Sequence, residues 1–253
     1  MKITFLGTGT SQGIPMILSD EPVNFSTDFK DKRMRSSMYI QWEKGSCLID
    51  CGADFRMQIL ENNIKEIDGI LFTHEHSDHT AGLDDIRPFC YKKGPMPVYA
   101  MSRVMDSLAK RYDYIFSTEN RYPGAAAAIP NIIDTTPFDF HGKTIIPIEV
   151  GHGNLPILGY RVDDFAYLTD VKTISKTSLE KLKGVKTIVL SALRIETHPT
   201  HMNLEEALEM VKIIHPEKAY FTHISHRLGF HEEVVKMLPK NVFLAYDGLE
   251  IEM

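Results

Sequence analysis

The chain has 253 residues, a formal net charge of −6, 43% hydrophobic and 25% charged residues. That length buries a full core and suits one domain over 1–253, while the composition excludes both a disordered chain and a long apolar membrane span. The acidic balance argues against general adhesion to a nucleic-acid backbone, though it leaves room for a local positive pocket.

The opening MKITFLGTGT is too short an apolar stretch for a signal peptide and reads as a strand entering a glycine turn, so a cytoplasmic protein is expected. SMYIQW and SCLIDCG follow as strands, ADFRMQILENN as a helix, and DGILFTH and MPVYAM as strands around the motif described below. SRVMDSLAKRY is a helix. Residues 112–137, aromatic and then alanine-rich, read as a loop that packs its rings on the body, with a lid or dimer contact as the alternative. TIIPIEVGH, LGYRVD and FAYLTD are strands, SLEKLKG is a helix, TIVLSA and KAYFTH are strands on either side of the helix LEEALEMVKIIH, and HEEVVKMLP and VFLAYDG close the chain. Strands interleaved with helices give an α/β layered fold. Cys47, Cys51 and Cys90 are odd in number and form no CxxC pair, so they read as buried thiols.

The chemistry concentrates where strands end. ILFTHEHSDH holds H-x-H-x-D-H, with His74, His76, Asp78 and His79. A strand-to-loop turn can aim His74 and His76 at one cation while Asp78 and His79 reach a second; imidazole and carboxylate suit zinc or manganese, and also iron. Three further ligand-type residues each follow an apolar run: His152 after IEVG, Asp170 after AYLT and His223 after AYFT. If these strands share one edge, their ends meet in a cleft of the kind that binds ligands in α/β proteins. The natural assignment puts His74, His76 and His152 on one metal, Asp78, His79 and His223 on the other, and Asp170 between them. Any one of these residues read alone would be ordinary, Asp78 as a helix cap for example.

On these motifs the sequence resembles the metallo-β-lactamase superfamily, whose pattern is this H-x-H-x-D-H followed by a His, a bridging Asp and a final His, and the likeness runs from FLGTGTSQGIP to FTHISH. The resemblance implies an α/β fold of the αββα sandwich type, two mixed sheets flanked by helices, with two divalent ions, zinc or manganese, at one edge. It also places Asp50 of LIDCG behind the metals. Asp170 stands where the lactamases have a cysteine, which argues against antibiotic hydrolysis. GTGTSQGIP, KDKRMRSS and THPTHMNLEEALEM resemble the phosphodiesterase branch that includes the tRNA 3′-processing endonuclease RNase Z and the phosphoribosyl cyclic phosphate phosphodiesterases. Relatives of the latter carry a cysteine cluster after GIP that holds a structural zinc. This chain reads MILSDEPVNFSTD there, so that ion is not expected.

The resemblance implies that a hydroxide held by the two ions attacks phosphorus in a small, cyclic phosphodiester, with Asp78 orienting it and His201 as general acid. Read locally, His201 could equally make a helix-entry hydrogen bond. Arg35, Ser36, Ser37, His198 and His226 are candidates for substrate or supporting contacts; Arg33 and its neighbours are equally a solvated basic loop, and His231 reads as a helix cap. No long basic insertion that would grip tRNA is evident, so nucleic acid is not the expected partner. The resemblance also suggests a homodimer. The rival activities are an RNase Z-type endonuclease, a glyoxalase-type thioesterase and a non-catalytic or biosynthetic accessory protein.

Overall fold

The computed structural model of the chain describes residues 1–119 and 122–253. Residues 120 and 121, inside the segment expected to be a loop, lie outside the described residues. Two compact units result: one of Met1–Leu6, Ser37–Asp134 and Gly248–Met253, the other of Gly7–Ser36 and Thr135–Asp247. Among the described residues no helix is long and apolar enough to cross a membrane.

The first unit is built on strands β1 (Lys2–Gly7), β2 (Ser37–Trp42), β3 (Gly45–Ile49), β4 (Gly69–Leu71), β5 (Met96–Ala100) and β6 (Ala128–Ile132). Its helices are α1 (Phe55–Glu61), α2 (Ser77–Thr80), α3 (Arg87–Lys93), α4 (Ser102–Arg111) and α5 (Asp113–Phe116). β2 and β3 form an antiparallel hairpin, whereas β3, β4, β5 and β6 run parallel, so the carboxyl ends of β3 and β4 lie side by side. β3 and β4 are buried along Ser46–Ile49 and Gly69–Leu71, as expected of parallel strands covered on both faces. Leu48, Ile70, Phe72 and Val98 join Phe55 of α1 and Val104 and Leu108 of α4 in one apolar cluster. Each such side chain, fully withdrawn from water, contributes about 1.5–3 kcal/mol. Ile115 and Ala126 belong to the same cluster, and Tyr114 Oη donates to Asp84 Oδ1 at 3.0 Å. The 112–137 segment is therefore not simply the expected loop: it contains α5 and β6, while Tyr112, Tyr114 and Phe116 do pack on this unit.

The second unit contains β7 (Phe138–Phe140), β8 (Lys143–His152), β9 (Leu155–Val162), β10 (Phe165–Leu168), β11 (Thr187–Ser191), β12 (Lys218–Thr222) and β13 (Val242–Leu244), with helices α6 (Lys176–Leu182), α7 (Leu204–Ile214) and α8 (His231–Val235). The sheet order is β13-β12-β11-β10-β9-β8-β7; the last strand, β14 (Glu250–Glu252), pairs with β1 in the other sheet, ordered β14-β1-β2-β3-β4-β5-β6. β8 and β10 both run antiparallel to the strand between them, and β10, β11, β12 and β13 are parallel. The carboxyl ends of β8, β10, β11 and β12 consequently share one edge. α7 begins with a full capping box, Asn203 accepting from Glu206 N at 2.9 Å and Glu206 Oε2 accepting from Asn203 N at 3.0 Å.

His231 opens α8 and is buried, its ring Nδ1 accepting from Arg33 Nη2 at 3.2 Å. Its backbone N–H donates to Asp31 Oδ1 at 2.7 Å, so Asp31 supplies the helix with a side-chain acceptor. Burial first, then the charges of Arg33 and Lys30, lower the imidazole pKa to about 4 against the opposing Asp31 and Asp28. Below the ordinary value of about 6.5 the unfolded chain gains a proton that the folded one refuses, so stability is lost as pH falls from about 6.5 toward about 4. His231→Gln, which keeps an acceptor for Arg33, should lose less stability than the parent between pH 7.5 and 4.5 in urea unfolding; equal losses would place the acid sensitivity elsewhere.

Candidate metal centre

In the first unit the H-x-H-x-D-H stretch leaves β4 and passes through α2, and its histidines are braced from behind. Asp50, at the end of β3, is fully buried with φ +63°. Its Oδ1 accepts from Thr73 N at 2.8 Å, and its Oδ2 accepts from Thr73 Oγ1 at 2.8 Å and His79 Nδ1 at 2.7 Å. Burial pushes its carboxyl pKa up, and His79 and Thr73 pull it down. Ser37 Oγ donates to the carbonyls of Ile49 and Asp50, at 3.2 and 2.8 Å, and so holds the turn that carries Asp50. Thr73 has its own proton on Asp50, so its hydroxyl accepts from His74 Nδ1 at 2.9 Å.

These bonds assign tautomers. With Nδ1–H of His74 and of His79 committed, both Nε2 atoms carry lone pairs. His79 Nε2 lies 3.2 Å from Asp78 Oδ2, and His74 Nε2 lies 2.9 Å from His76 Nδ1. Two lone pairs so close repel unless a proton or a cation sits between them, and two donors on one zinc at about 2.1 Å come to lie about 3.0–3.4 Å apart. The donor pairs fit a metal ion. Glu75, between the two histidines, is salt-bridged to Arg103 of α4, and Arg111 Nη2 donates to its carbonyl at 2.9 Å.

The turn after α2 depends on a glycine. A Cβ at Gly82 would lie 2.1 Å from Gly52 O and 2.7 Å from Phe55 Cβ, in the turn where Cys51 N donates to His79 O. Gly82→Ala should therefore destabilise the protein by roughly 1–3 kcal/mol and displace the Asp50 turn. Denaturant unfolding measures the loss; an unchanged midpoint would mean that the turn yields freely.

In the second unit His152 ends β8, Asp170 follows β10 and His223 follows β12, with Asp170 at φ +56° and His223 at φ +56°. Non-glycine residues in this left-handed region cluster at sites held by their surroundings. His152 Nδ1 donates to Thr200 O at 2.9 Å, which leaves Nε2 as a lone pair. The approach is close because position 153 is glycine at φ +60°, where a Cβ would lie 2.8 Å from Thr200 Cγ2. Asp170 Oδ1 accepts from Thr169 Oγ1 at 2.7 Å and lies 3.0 Å from His223 Nδ1. His152, Asp170 and His201 offer ligand atoms all within 4.8 Å of one another, a set that could hold a metal ion.

His201 stands before α7, its ring 4.5 Å from that of His152, 5.1 Å from His198 and stacked at 4.9 Å on His223. Its buried Nδ1 has no hydrogen-bond partner among the described residues, so the ring is not spent on helix entry; Asn203 does that work. Burial first, then His223, His152 and His198, lower the His201 pKa to about 3, with Asp170 opposing. Nδ1 of His198 accepts from Thr200 N at 3.3 Å; burial and then Arg194 lower the pKa of this ring. Arg35 Nε donates to Ser11 O at 3.0 Å, and Ser36 is buried with its Oγ 3.2 Å from His223 Nδ1. His226 lies in a short 3-10 turn, its Nδ1 buried and without a hydrogen-bond partner among the described residues. Arg33 is buried and turned inward, donating to Thr8 Oγ1 and Ala245 O.

A family model described as the beta-lactamase superfamily domain matches residues 46–224. The chain belongs to the beta-lactamase superfamily. An octanoyltransferase of Porphyromonas gingivalis is 38% identical to this superfamily member over 253 residues, 99% of this chain and 51% of that protein. A ribonuclease Z of Bacillus licheniformis is 30% identical over 203 residues, 75% of this chain and 60% of that protein. The chain thus spans about half of the first of these relatives and three-fifths of the second. The crystal structure of a diphosphatase from the PhnP family matches with a TM-score of 0.93 and 38% identity, covering 100% of this chain and 97% of that one. The expected fold class, two mixed sheets flanked by helices in the metallo-β-lactamase manner, is the one found.

The hydroxyl partners of the ligand-type residues were not anticipated from the sequence. A partial signal exists: FTH, LTD and FTH put a threonine before His74, Asp170 and His223, although the Thr222 hydroxyl has no hydrogen-bond partner among the described residues. Thr73 bonds His74 and Asp50, and Thr169 bonds Asp170.

Proposed function

We propose that the chain is a metal-dependent hydrolase of small phosphodiesters, cyclic ones included. On the sequence pattern, His74, His76 and His152 would hold one divalent ion and Asp78, His79 and His223 a second, with Asp170 shared between them. The observation that carries the reading is the His79 Nε2 lone pair held 3.2 Å from Asp78 Oδ2 by the Nδ1–H bond to Asp50, with His74 Nε2 turned toward His76 by its own Nδ1 bond to Thr73. Kinship with ribonuclease Z and with the PhnP-family diphosphatase supports phosphorus as the reacting centre.

Zinc or manganese in such a site neutralises phosphate oxygens and lowers the pKa of bound water. The chain's residues do the rest. Asp50 and Thr73 keep His79 and His74 in the ligand tautomer, Thr200 does so for His152, and Asp78 orients the nucleophile. His201 gives its proton to the leaving oxygen. Its imidazole is neutral at rest chiefly because it is buried, and the anionic phosphodiester beside it would favour the protonated form.

A second reading is the thioesterase that the ligand pattern also allows; the relative named as an octanoyltransferase, of which this chain matches 51%, brings an acyl group into consideration. The test is hydrolysis of bis(p-nitrophenyl) phosphate by protein loaded with manganese or zinc, with and without chelator, beside an octanoyl thioester. Chelator-sensitive release from the diester is the expected result. Activity on the thioester alone would transfer the assignment to acyl chemistry, and activity on neither would favour an accessory protein.

A further inference from the structure

His223 is held by parts of the chain distant in sequence. Ser36 Oγ donates to Gly9 O at 2.9 Å, so toward His223 Nδ1, 3.2 Å away, it can only accept. Asp170 Oδ1 lies 3.0 Å from the same nitrogen. The Ser36 contact selects the Nδ1–H tautomer and leaves Nε2 as the lone pair, with Thr10 Oγ1 3.1 Å from it. The choice of nitrogen thus depends on where the Gly9 and Ser36 backbones sit.

That position is fixed from Asp247, beyond β13. Its Oδ1 accepts from Thr8 N at 2.9 Å and Thr8 Oγ1 at 2.7 Å, and its Oδ2 accepts from Met34 N at 2.6 Å. One carboxylate thereby clamps the Thr8–Thr10 segment to the Met34–Ser36 segment. Between the clamp and the imidazole the two segments are joined by Gly9 N to Met34 O at 2.8 Å and Ser36 N to Gly9 O at 3.0 Å. The two segments approach so closely that a Cβ at Gly9 would lie 2.9 Å from Arg33 O. Arg33 braces the clamp from below, Nη1 donating to Thr8 Oγ1 and to Ala245 O at 2.7 and 2.6 Å.

We infer that Asp247 is a positioning residue for His223: by locking the Thr8–Thr10 and Met34–Ser36 segments together it sets the Ser36 hydroxyl that selects the Nδ1–H tautomer. The tautomer claim stands on these bonds alone, and only its consequence for metal affinity rests on His223 being a ligand.

Asp247→Asn replaces a carboxylate oxygen by an N–H donor that faces the Thr8 and Met34 donors and opens the clamp with little change in volume. In metal-free protein with labelled histidine, long-range ¹⁵N spectra should show His223 as the Nδ1–H tautomer in the parent and as a mixture in the variant. Zinc affinity in chelator competition should fall about 10–100-fold, the usual size of a supporting-partner effect, and the visible spectrum of the cobalt form should change. Ser178→Ala removes a buried hydroxyl bond to Glu149 O and should alter none of the three. If Asp247→Asn does not fold, Thr8→Val, which removes only the hydroxyl shared by Asp247 and Arg33, carries the same test. A folded variant whose His223 keeps the parent tautomer overturns the inference. His223→Ala that retains all the parent's metal overturns the ligand reading instead, and the ¹⁵N result still decides the role of Asp247.

Discussion

Replacing Asp170 by alanine should release at least one metal ion and reduce phosphodiester turnover by about a thousandfold or more. Supporting partners of metal ligands typically contribute about 10–100-fold in affinity or activity, and a carboxylate that touches the ions directly contributes more. Asp170 is placed for this at a backbone cost: its φ of +56° lies in a region that costs a non-glycine residue of order 1–3 kcal/mol. The conformation is held by Thr169 Oγ1 on its Oδ1 and by Val171 N on Ser191 Oγ at 3.0 Å. Two quantities decide the prediction, metal per chain by elemental analysis and melting temperature without metal. If the variant keeps its full metal content, Asp170 is not a ligand. If it loses metal while its metal-free form melts at or above the parent's temperature, the strained carboxylate is retained for binding and not for folding.

The fold and the strand ends were legible because their signals are periodic or chemically loud. KAYFTH and FAYLTD are apolar runs ended by a ligand-type residue, and each proved to be a strand that stops just short of it, Lys218–Thr222 and Phe165–Leu168. Less visible elements broke a local rule. β6, Ala128–Ile132, lies in alanine-rich sequence and contains Pro130, which is tolerated because the strand is at the sheet edge. α3 contains Pro88, but in its first turn, where the missing N–H has no intrahelical partner to lose. α2 is four residues long, too short for a period to show. The bracing contacts could not be read at all: Ser37 on Asp50, Gly153 beside Thr200 and Asp247 on Thr8 and Met34 join residues far apart in the chain by single bonds or by the space a missing Cβ leaves. Arg33 shows the limit most clearly. In KDKRMRSS it looks like one of several surface charges, yet it is buried, its pKa lowered to about 10 by burial against the nearby Asp247, and it is still charged at neutral pH.

His201→Ala should keep the metal content of the parent and lose about 10²–10⁴-fold in turnover of alkyl phosphodiesters, the range for a positioned general acid. With p-nitrophenyl esters the loss should be under about tenfold, because p-nitrophenolate leaves without a proton and an alkoxide does not. The geometry makes metal content the critical control. His201 shares a cluster of ligand atoms with His152 and Asp170, so a lost ion would also explain a lost rate. Loss of an ion from His201→Ala would make it a ligand and end the general-acid role; equal losses on both ester classes with metal retained would point to substrate positioning instead. The lowered pKa of the imidazole sharpens the expectation. Burial disfavours the charged ring, so a bound anion favours the proton that the acid step needs. The difference between parent and variant should therefore be larger for anionic diesters than for a neutral triester with the same alkoxide, which brings no charge to recruit the proton.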